Sequence, residues 1–132
     1  MKKKLIILFI LLFISIFIHI PKYIELNNLA IIDGIGVYYK DNSYYIYLKE
    51  IIPIKDQLGI NKEYKYYYVK SKDIESGIKE LNKNSKKKLY YKSCNYIVTN
   101  MNTSSKILNS FNISTKKIYH NKKVLYKLKE TN

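Results

Sequence analysis

The distribution of apolar residues divides the chain into an N-terminal block and a longer mixed region. In residues 5–20 only Ser15 and His19 are polar, three lysines precede the block, and Pro21 ends it. Sixteen helical residues span about 24 Å, less than the ~30 Å hydrocarbon core, and flanking lysines extend this reach by snorkelling. The pattern predicts a transmembrane helix within segment 1–22. Because no small residues mark a cleavage site, we expect an uncleaved anchor, with a cleaved signal peptide as the second interpretation.

The charges around this block predict its orientation. Lys2, Lys3 and Lys4 lie before it, whereas only Lys22 follows it directly. Positively charged flanks stay in the cytoplasm. We therefore expect a single-pass membrane protein in which residues 23–132 form one domain outside the cytoplasm.

The first part of this domain alternates between β-rich runs and turn residues. Residues 29–39 and 44–52 are rich in Ile and Tyr, and segment 40–43 between them has the polar composition of a turn. This order predicts a β-hairpin that ends ahead of a proline. A loop is predicted for residues 55–61, which contain a glycine, and a third strand for residues 64–70.

A helical repeat follows the third strand. Asp73 suits an N-cap, and one helical face carries three apolar residues, Ile74, Ile78 and Leu81. We expect this helix to end near Ser85 and to pack on the sheet. A glycine at position 77 interrupts it. Because glycine disfavours a helix by roughly 1 kcal/mol relative to alanine, its replacement by alanine should be neutral or mildly stabilising.

The C-terminal third continues the mixture of strands and helices. Residues 89–99 predict a fourth strand, residues 103–111 a short helix capped by Thr103, and residues 117–130 a final hairpin. The predicted class is α+β, with a mainly antiparallel sheet packed against one or two helices.

Composition excludes some classes of function. The 132 residues include 24 lysines and no arginine against 10 acidic residues, a formal charge of +14. A surplus of lysine beside many Ile, Asn and Tyr residues is what an AT-biased coding sequence produces. The guanidinium groups that read bases in a bidentate manner are missing. We therefore expect no nucleic-acid partner, although lysines can still bind anionic surfaces.

Tyrosine clusters at 44–47 and 66–68 allow two interpretations. Aromatic rings interleaved with lysines can form a stacking platform for single-stranded nucleic acid or sugar. Consecutive strand residues point to opposite faces, however, so that some of these rings would fill the core and others would cover the sheet surface. The second interpretation is favoured for a chain without arginine.

The sequence contains no constellation of catalytic residues. Cys94, the only thiol, lies in an apolar run and is expected to pack in the core. The sequence Gly34-Ile35-Gly36 lacks the third glycine of a dinucleotide-binding loop and predicts a bend or close packing of the strand. His19 and His120 have no second ligand at metal-binding spacing. We expect no enzymatic activity, no cofactor and no metal site.

Two stretches of the chain resemble one protein family. The run from Glu25 to Val37, Glu-Leu-Asn-Asn-Leu-Ala-Ile-Ile-Asp-Gly-Ile-Gly-Val, is similar to the start of the mature C subunits of bacterial spore germinant receptors, the Ger(x)C lipoproteins. The capped helix from Asp73 to Leu81 and the sequence Ser-Lys-Lys-Lys-Leu-Tyr-Tyr from Ser85 to Tyr91 resemble that family's helix and the basic start of its next strand. Together the stretches cover residues 25–99 in the family's order.

The resemblance implies an extracytoplasmic, membrane-tethered accessory subunit that works beside membrane-embedded germinant receptor subunits and has no chemistry of its own. Two departures modify this expectation. Family members carry a lipobox Cys directly after the apolar segment, where this chain has Ile20-Pro21-Lys22, so we expect no lipid attachment. Members also continue into further domains, so the chain is expected to correspond to a truncated relative.

We therefore expect a membrane-tethered interaction protein of spore germination. Its candidate interaction surface combines charge with aromatic contact area at Lys86, Lys87, Lys88 and Tyr90. The alternative is a cationic surface protein that binds anionic lipid or cell-wall polymer through residues 86–88 together with the lysine pairs at 116–117 and 122–123.

Overall fold

A computed structural model describes residues 1–18, 28–56, 58–102, 104–115 and 117–131. The helices are α1 (Lys2–Ile18), α2 (Ile74–Asn84), α3 (Ser105–Phe111) and α4 (Val124–Glu130). The strands are β1 (Leu29–Lys40), β2 (Ser43–Asp56), β3 (Gly59–Ser71), β4 (Lys88–Tyr90), β5 (Tyr96–Thr99) and β6 (Lys117–His120). They form one sheet in the order β3-β2-β1-β5-β6, with β4 also paired to β1. The predicted α+β class and mainly antiparallel sheet are confirmed.

Helix α1 coincides with the apolar N-terminal block. Its side chains are exposed up to Ile16. Within the described residues, no helix combines the length and the apolar character that a membrane crossing requires. The predicted end of the block, residues 19–22 including His19, lies outside the described residues.

Strands β1, β2 and β3 form a meander that confirms the predicted hairpin and third strand. The first turn contains Asp41 and Asn42 with φ values of 52° and 57°. A two-residue turn with both φ angles positive matches the twist of the strands that it joins, and Asn and Asp tolerate this conformation. The polar turn chemistry therefore sets the register in which Lys40 pairs with Ser43.

The second hairpin is longer than predicted. Strand β2 continues through Pro53 to Asp56, and β3 already begins at Gly59, so the loop predicted for residues 55–61 is wrong. Pairing between β1 and β2 stops at Ile51, and beyond it β2 has a partner only on the β3 side. A proline is tolerated there because only one side of the strand requires a hydrogen-bond donor.

The single strand predicted for residues 89–99 is also wrong, because it is two short strands that both run parallel to β1. Strand β4 pairs with the start of β1, and β5 pairs with residues 34–37 beyond a bulge at Asp33. Asn95 precedes β5, and its backbone N–H donates to the Asp33 carbonyl (2.8 Å) while its Nδ2 donates to Asp33 Oδ1 (2.6 Å). Asp33 at the bulge therefore provides both acceptors, and these hydrogen bonds fix the point at which the chain passes from β4 to β5 beside β1.

The C-terminal region corrects a third prediction. The expected hairpin over residues 117–130 is strand β6 followed by helix α4. The alternation of apolar residues suggested a strand, but the buried residues of α4 are Val124 and Leu128, four positions apart on one helical face. The preceding helix α3 is confirmed and begins at Ser105, while its proposed cap, Thr103, lies outside the described residues.

The sheet carries helices on both faces, so the expectation of one or two packed helices was too low. Helices α2 and α3 cover one face, whose buried core includes Ile32, Ile46, Leu48, Ile74, Leu81, Ile97, Ile107 and Phe111. Helix α4 covers part of the opposite face, where Tyr96, Val98, Val124 and Leu128 are buried beside several half-buried tyrosines. Cys94 packs in the first core, as predicted.

Helix α4 lies close to the sheet because glycines remove side-chain volume from one face of β1. A Cβ atom on Gly34 would lie 2.5 Å from Cζ of Tyr96, and one on Gly36 would lie 2.8 Å from Cγ1 of Val124. The close packing predicted for the Gly-Ile-Gly sequence is confirmed. It allows Tyr96 to lie across β1 and Val124 to contact the strand backbone.

A buried lysine holds the C-terminal end of α4. Lys49 is fully buried, and its Nζ donates to the carbonyls of Leu128 (3.2 Å) and Thr131. The Tyr96 hydroxyl donates to the same two oxygens at 3.0 and 3.2 Å. A cation at a helix C-terminus satisfies carbonyls that have no partner in the helix and opposes the helix dipole. Burial lowers the pKa of Lys49, an effect that the nearby Asp33 opposes.

Helix α2 confirms its predicted cap and packing face. The Asp73 side chain accepts a hydrogen bond from the Ser76 backbone N–H (2.7 Å), and Ile74 and Leu81 are buried. Gly77 is buried as well, and a Cβ atom there would lie 2.6 Å from both Ile46 Cδ1 and Ser71 Oγ. An alanine at this position would therefore require Ile46 or Ser71 to shift, a cost that the expectation of a neutral replacement did not include.

Replacing Gly77 with Ala should destabilise the domain by about 1 kcal/mol. Overpacking costs roughly 1–3 kcal/mol, and the gain from restricting the unfolded chain offsets roughly 0.4–1 kcal/mol of it. Urea unfolding of the full chain in detergent micelles measures the change. Lys79→Ala, at an exposed position of the same helix, is the matched control and should stay within about 0.5 kcal/mol of wild type. A Gly77→Ala variant as stable as the control would contradict the close contact.

Candidate interaction surface

The predicted interaction residues lie at the end of the sheet where β1, the first strand after the N-terminal segment, begins. We call this the proximal end: it is the end at which β1 begins, with Leu29 paired to Lys88 of the parallel strand β4. Helix α2 runs antiparallel to the preceding strand β3 and ends here at its C-cap, Ser85. The opposite, distal end carries the β1–β2 turn and the start of α2.

The basic turn, which we define as Lys86, Lys87 and Lys88, is an ordered feature of the proximal end. Ser85 Oγ donates to the Lys87 carbonyl (2.7 Å), and the Lys87 backbone N–H donates back to Ser85 Oγ (3.3 Å). The three lysine side chains are exposed. Local hydrogen bonds from one serine thus present three cations next to each other.

Tyr90 lies on the same side of β4 as the last of these lysines. In the strand Leu89 is buried, whereas Lys88 and Tyr90 on either side of it are exposed. Tyr90 is 40% exposed. Because residues two positions apart in a strand point to the same face, the lysine and the tyrosine form one continuous contact area. The structure therefore brings the predicted surface together.

A buried carboxylate beneath the basic turn was missed in the sequence. Glu50 is 3% exposed, and its Oε2 accepts a hydrogen bond from the Tyr67 hydroxyl (2.6 Å). Lys87 Nζ lies 4.0 Å from the other oxygen, Oε1. Burial, followed by the hydrogen bond and the charge of Glu50, raises the pKa of Tyr67 to about 12. The sequence signal that could have indicated it is the position of Glu50, which follows Ile46 and Leu48 at every second residue of β2 and so points to the core face.

A groove of about 360 Å³ opens beside this carboxylate. Glu50 and Lys87 are its charged members, and the remaining lining is apolar: Leu29, Ile31, Ile51, Ile52 and Pro53. Leu29 and Ile31 come from the start of β1, and Ile52 and Pro53 come from the part of β2 that extends beyond the pairing with β1. The proximal end thus combines exposed cations with a partly apolar depression.

The other lysine pairs do not join the basic turn. Lys117 begins β6 in register with Tyr96 of β5 and hence with Gly34 in the middle of β1, whereas Lys122 and Lys123 follow β6 at the distal end. Lys116 lies outside the described residues. The described lysines named for the alternative function therefore lie at different places along the sheet.

The tyrosine clusters divide between the two faces, as the favoured interpretation predicted. Tyr44 is buried and Tyr67 packs against the larger core, while Tyr47 and Tyr66 belong to the face under α4. Tyr68 is 56% exposed and lies 5.2 Å from Tyr47 between ring centroids. The rings therefore serve mainly to fill and cover the sheet.

The described residues offer little for catalysis. Burial raises the pKa of the Cys94 thiol to about 12, which suppresses its thiolate at neutral pH. His120 is exposed, with Nδ1 3.1 Å from the Met101 carbonyl oxygen. No group of three or more His, Cys, Asp or Glu side chains converges in the described part of the chain.

The fold and this surface define a small α+β domain that follows an apolar N-terminal helix. Comparison with protein families matches residues 22–115 to the spore germination protein N-terminal domain. The match covers most of the chain, and the chain belongs to this family. It confirms the resemblance to the N-terminal domain of germinant receptor C subunits. No curated protein and no solved structure matches the chain.

Replacing Tyr67 with Phe removes the hydroxyl that donates to the buried Glu50. We expect a loss of about 1.5 kcal/mol at neutral pH, the low end for a hydrogen bond to a charged group, because Tyr67 is only half-buried. This contribution is fully present below the ordinary tyrosine pKa of 10.0 and is lost as the pH rises through about 12. The difference from wild type should shrink across that interval in urea unfolding of the full chain.

Tyr68→Phe is the matched control for this experiment, since Tyr68 is the exposed neighbour in the same strand. It should change the free energy of unfolding by less than about 0.5 kcal/mol at every pH. Equal losses in the two variants would mean that the contact between Tyr67 and Glu50 does not stabilise the domain.

Proposed function

We propose that this chain is a membrane-tethered, extracytoplasmic accessory protein of spore germination that acts by contact with membrane-embedded germinant receptor subunits. The observation that carries the proposal is the family match over residues 22–115, which begins directly after the apolar N-terminal block. Membership places the domain in a germination-related role.

The character of α1 supports the tether. It is a helix of 17 residues in which every residue from Leu5 to Ile14 is a large apolar one, with three lysines at its start. A helix that is apolar on all faces has no polar side to turn towards water, and its large apolar side chains from Leu5 to Ile14 are exposed. Insertion into lipid removes that apolar surface from water, and the lysines favour a cytoplasmic N-terminus.

The composition of the proximal end supports action by contact. The basic turn and Tyr90 offer charge and aromatic area at the end of the domain that the chain reaches from α1. Aromatic residues contribute strongly to interfaces, and lysines at the rim speed association through electrostatic steering. We assign the role of binding surface to Lys86, Lys88 and Tyr90.

A photo-crosslinking residue placed at Lys86 or Tyr90 should capture a membrane protein in membranes of cells that produce the full chain. The same residue at Lys122, an exposed lysine of the distal end, is the matched control and should capture none. Mass spectrometry of the adducts identifies the captured protein. Adducts from all three positions, or from Lys122 alone, would contradict a partner at the proximal end. Recovery of lipid or wall polymer at Tyr90, with no protein adduct from either position, would favour the cationic surface protein.

The tether has its own test in intact cells. A cysteine introduced at the exposed Asn102 should react with a membrane-impermeant thiol reagent without permeabilisation, and the purified protein should retain Met1. The buried Cys94 provides the unreactive background, because its thiol pKa is raised. Labelling that requires permeabilised cells would show that the domain faces the cytoplasm.

A further inference from the structure

The hairpin between β2 and β3 projects beyond the rest of the sheet at the proximal end. The register that pairs Ile31 with Ile51 brings Leu29 opposite Pro53, and the hairpin continues to a last pair between Asp56 and Gly59. At about 3.3 Å per residue, its tip extends roughly 13 Å past the start of β1. No neighbouring described strand accompanies this extension.

The tip presents an apolar residue. Leu58 is 97% exposed, the highest value among the large apolar side chains described after α1. The hairpin sequence holds two lysines and two acidic residues between positions 52 and 63, so it carries no net charge. The hairpin tip would therefore contact a surface through its apolar side chain. The positive charge at this end of the sheet comes from the neighbouring basic turn.

The basic turn lies beside this hairpin and somewhat behind its tip. Strand β4 is separated from the middle of the β2–β3 hairpin by β1 and β2, about two and a half strand spacings, or roughly 12 Å. Lys86 precedes Lys88 by two residues at the same end of the sheet. Amphipathic segments at a membrane surface bury their apolar side roughly 5–10 Å below the headgroups. With the tip at that depth, the lysines lie at the level of the headgroups.

The length of the connection keeps the domain near the surface to which α1 is tethered. Ten residues separate the end of α1 at Ile18 from the start of β1 at Leu29. Even fully extended they reach only about 35 Å. The proximal end is the part of the domain that this connection joins.

We propose that the proximal end docks on an anionic bilayer, with Leu58 inserted among the lipids and the basic turn on acidic headgroups. This inference rests on the proposed tether and adds an orientation: the distal end points away from the membrane. Docking leaves the outward-facing edge of β4, with Tyr90, next to the bilayer, where a membrane-embedded subunit is within reach. Docking therefore gives the domain one defined orientation on the membrane surface.

Site-directed spin labelling of the full chain in vesicles tests this orientation of the domain on the bilayer. A nitroxide at Leu58→Cys should be more accessible to oxygen, which concentrates in lipid, than to an aqueous nickel chelate. A nitroxide at Asn102→Cys, at the distal end, should show the reverse. The native Cys94 remains unlabelled because it is buried and its pKa is raised. The contrast should appear in vesicles that contain anionic lipid.

The lysines provide the second arm of the experiment. Lys86→Gln and Lys88→Gln together should shift the docked-to-undocked ratio by about fivefold for each lysine, the equivalent of ~1 kcal/mol each. Lys87 stays unchanged to preserve its contact with Glu50. Lys122→Gln with Lys123→Gln is the control pair at the distal end and should leave the ratio unaltered.

Two outcomes separate this inference from the proposed tether. If the chain floats with vesicles through an alkaline wash but the label at position 58 is as aqueous as the label at 102, the docking is wrong and the tether stands. If the chain leaves the vesicles in that wash, the tether itself is wrong. Docking that persists unchanged in vesicles of zwitterionic lipid alone would also overturn the assigned role of the lysines.

Discussion

The close approach of helix α4 to strand β1 is the constraint on which the architecture depends. Strand β1 pairs with β2 on one side and with β4 and then β5 on the other, so it lies in the interior of the sheet. The size of its side chains therefore limits how closely a helix can pack on either face. Gly34 and Gly36 leave one face nearly bare, and Tyr96 and Val124 occupy the space that Cβ atoms would take. A Cβ atom at Gly34 would require Tyr96 to shift, and one at Gly36 would require Val124 of α4 to shift.

The buried Lys49 couples the two halves of the domain. It belongs to the antiparallel meander, yet its ammonium group binds carbonyls at the C-terminal end of α4, some eighty positions later in the chain. Its Nζ also lies 4.2 Å from the centroid of the Tyr64 ring, a cation–π contact. A buried charge is costly unless it is fully hydrogen-bonded, so the packing of α4 and the burial of Lys49 require each other.

The same architecture explains why the proximal end is suited to contact. Parallel pairing of β1 with β4 puts the basic turn where the chain arrives from α1, and the long β2–β3 hairpin extends past it. The carboxylate of Glu50 is held beneath the lysines by Tyr67. A surface assembled in this way lies on paired strands and a hydrogen-bonded turn, which gives it a defined shape.

The sequence by itself determined the elements whose information is local: the β1–β2 hairpin from its Asp-Asn turn, the capped helix α2 from Asp73 and its apolar repeat, and the exposed basic turn from three adjacent lysines. It failed where short apolar runs fit either structure, as in residues 89–99 and 117–130. Only the tertiary structure decided that Gly77 lies close to Ile46 and Ser71, that Glu50 is buried beneath Lys87, and that α4 covers the second face. These features depend on contacts between residues far apart in the chain. A local sequence pattern does not specify which distant side chains will pack against a given residue.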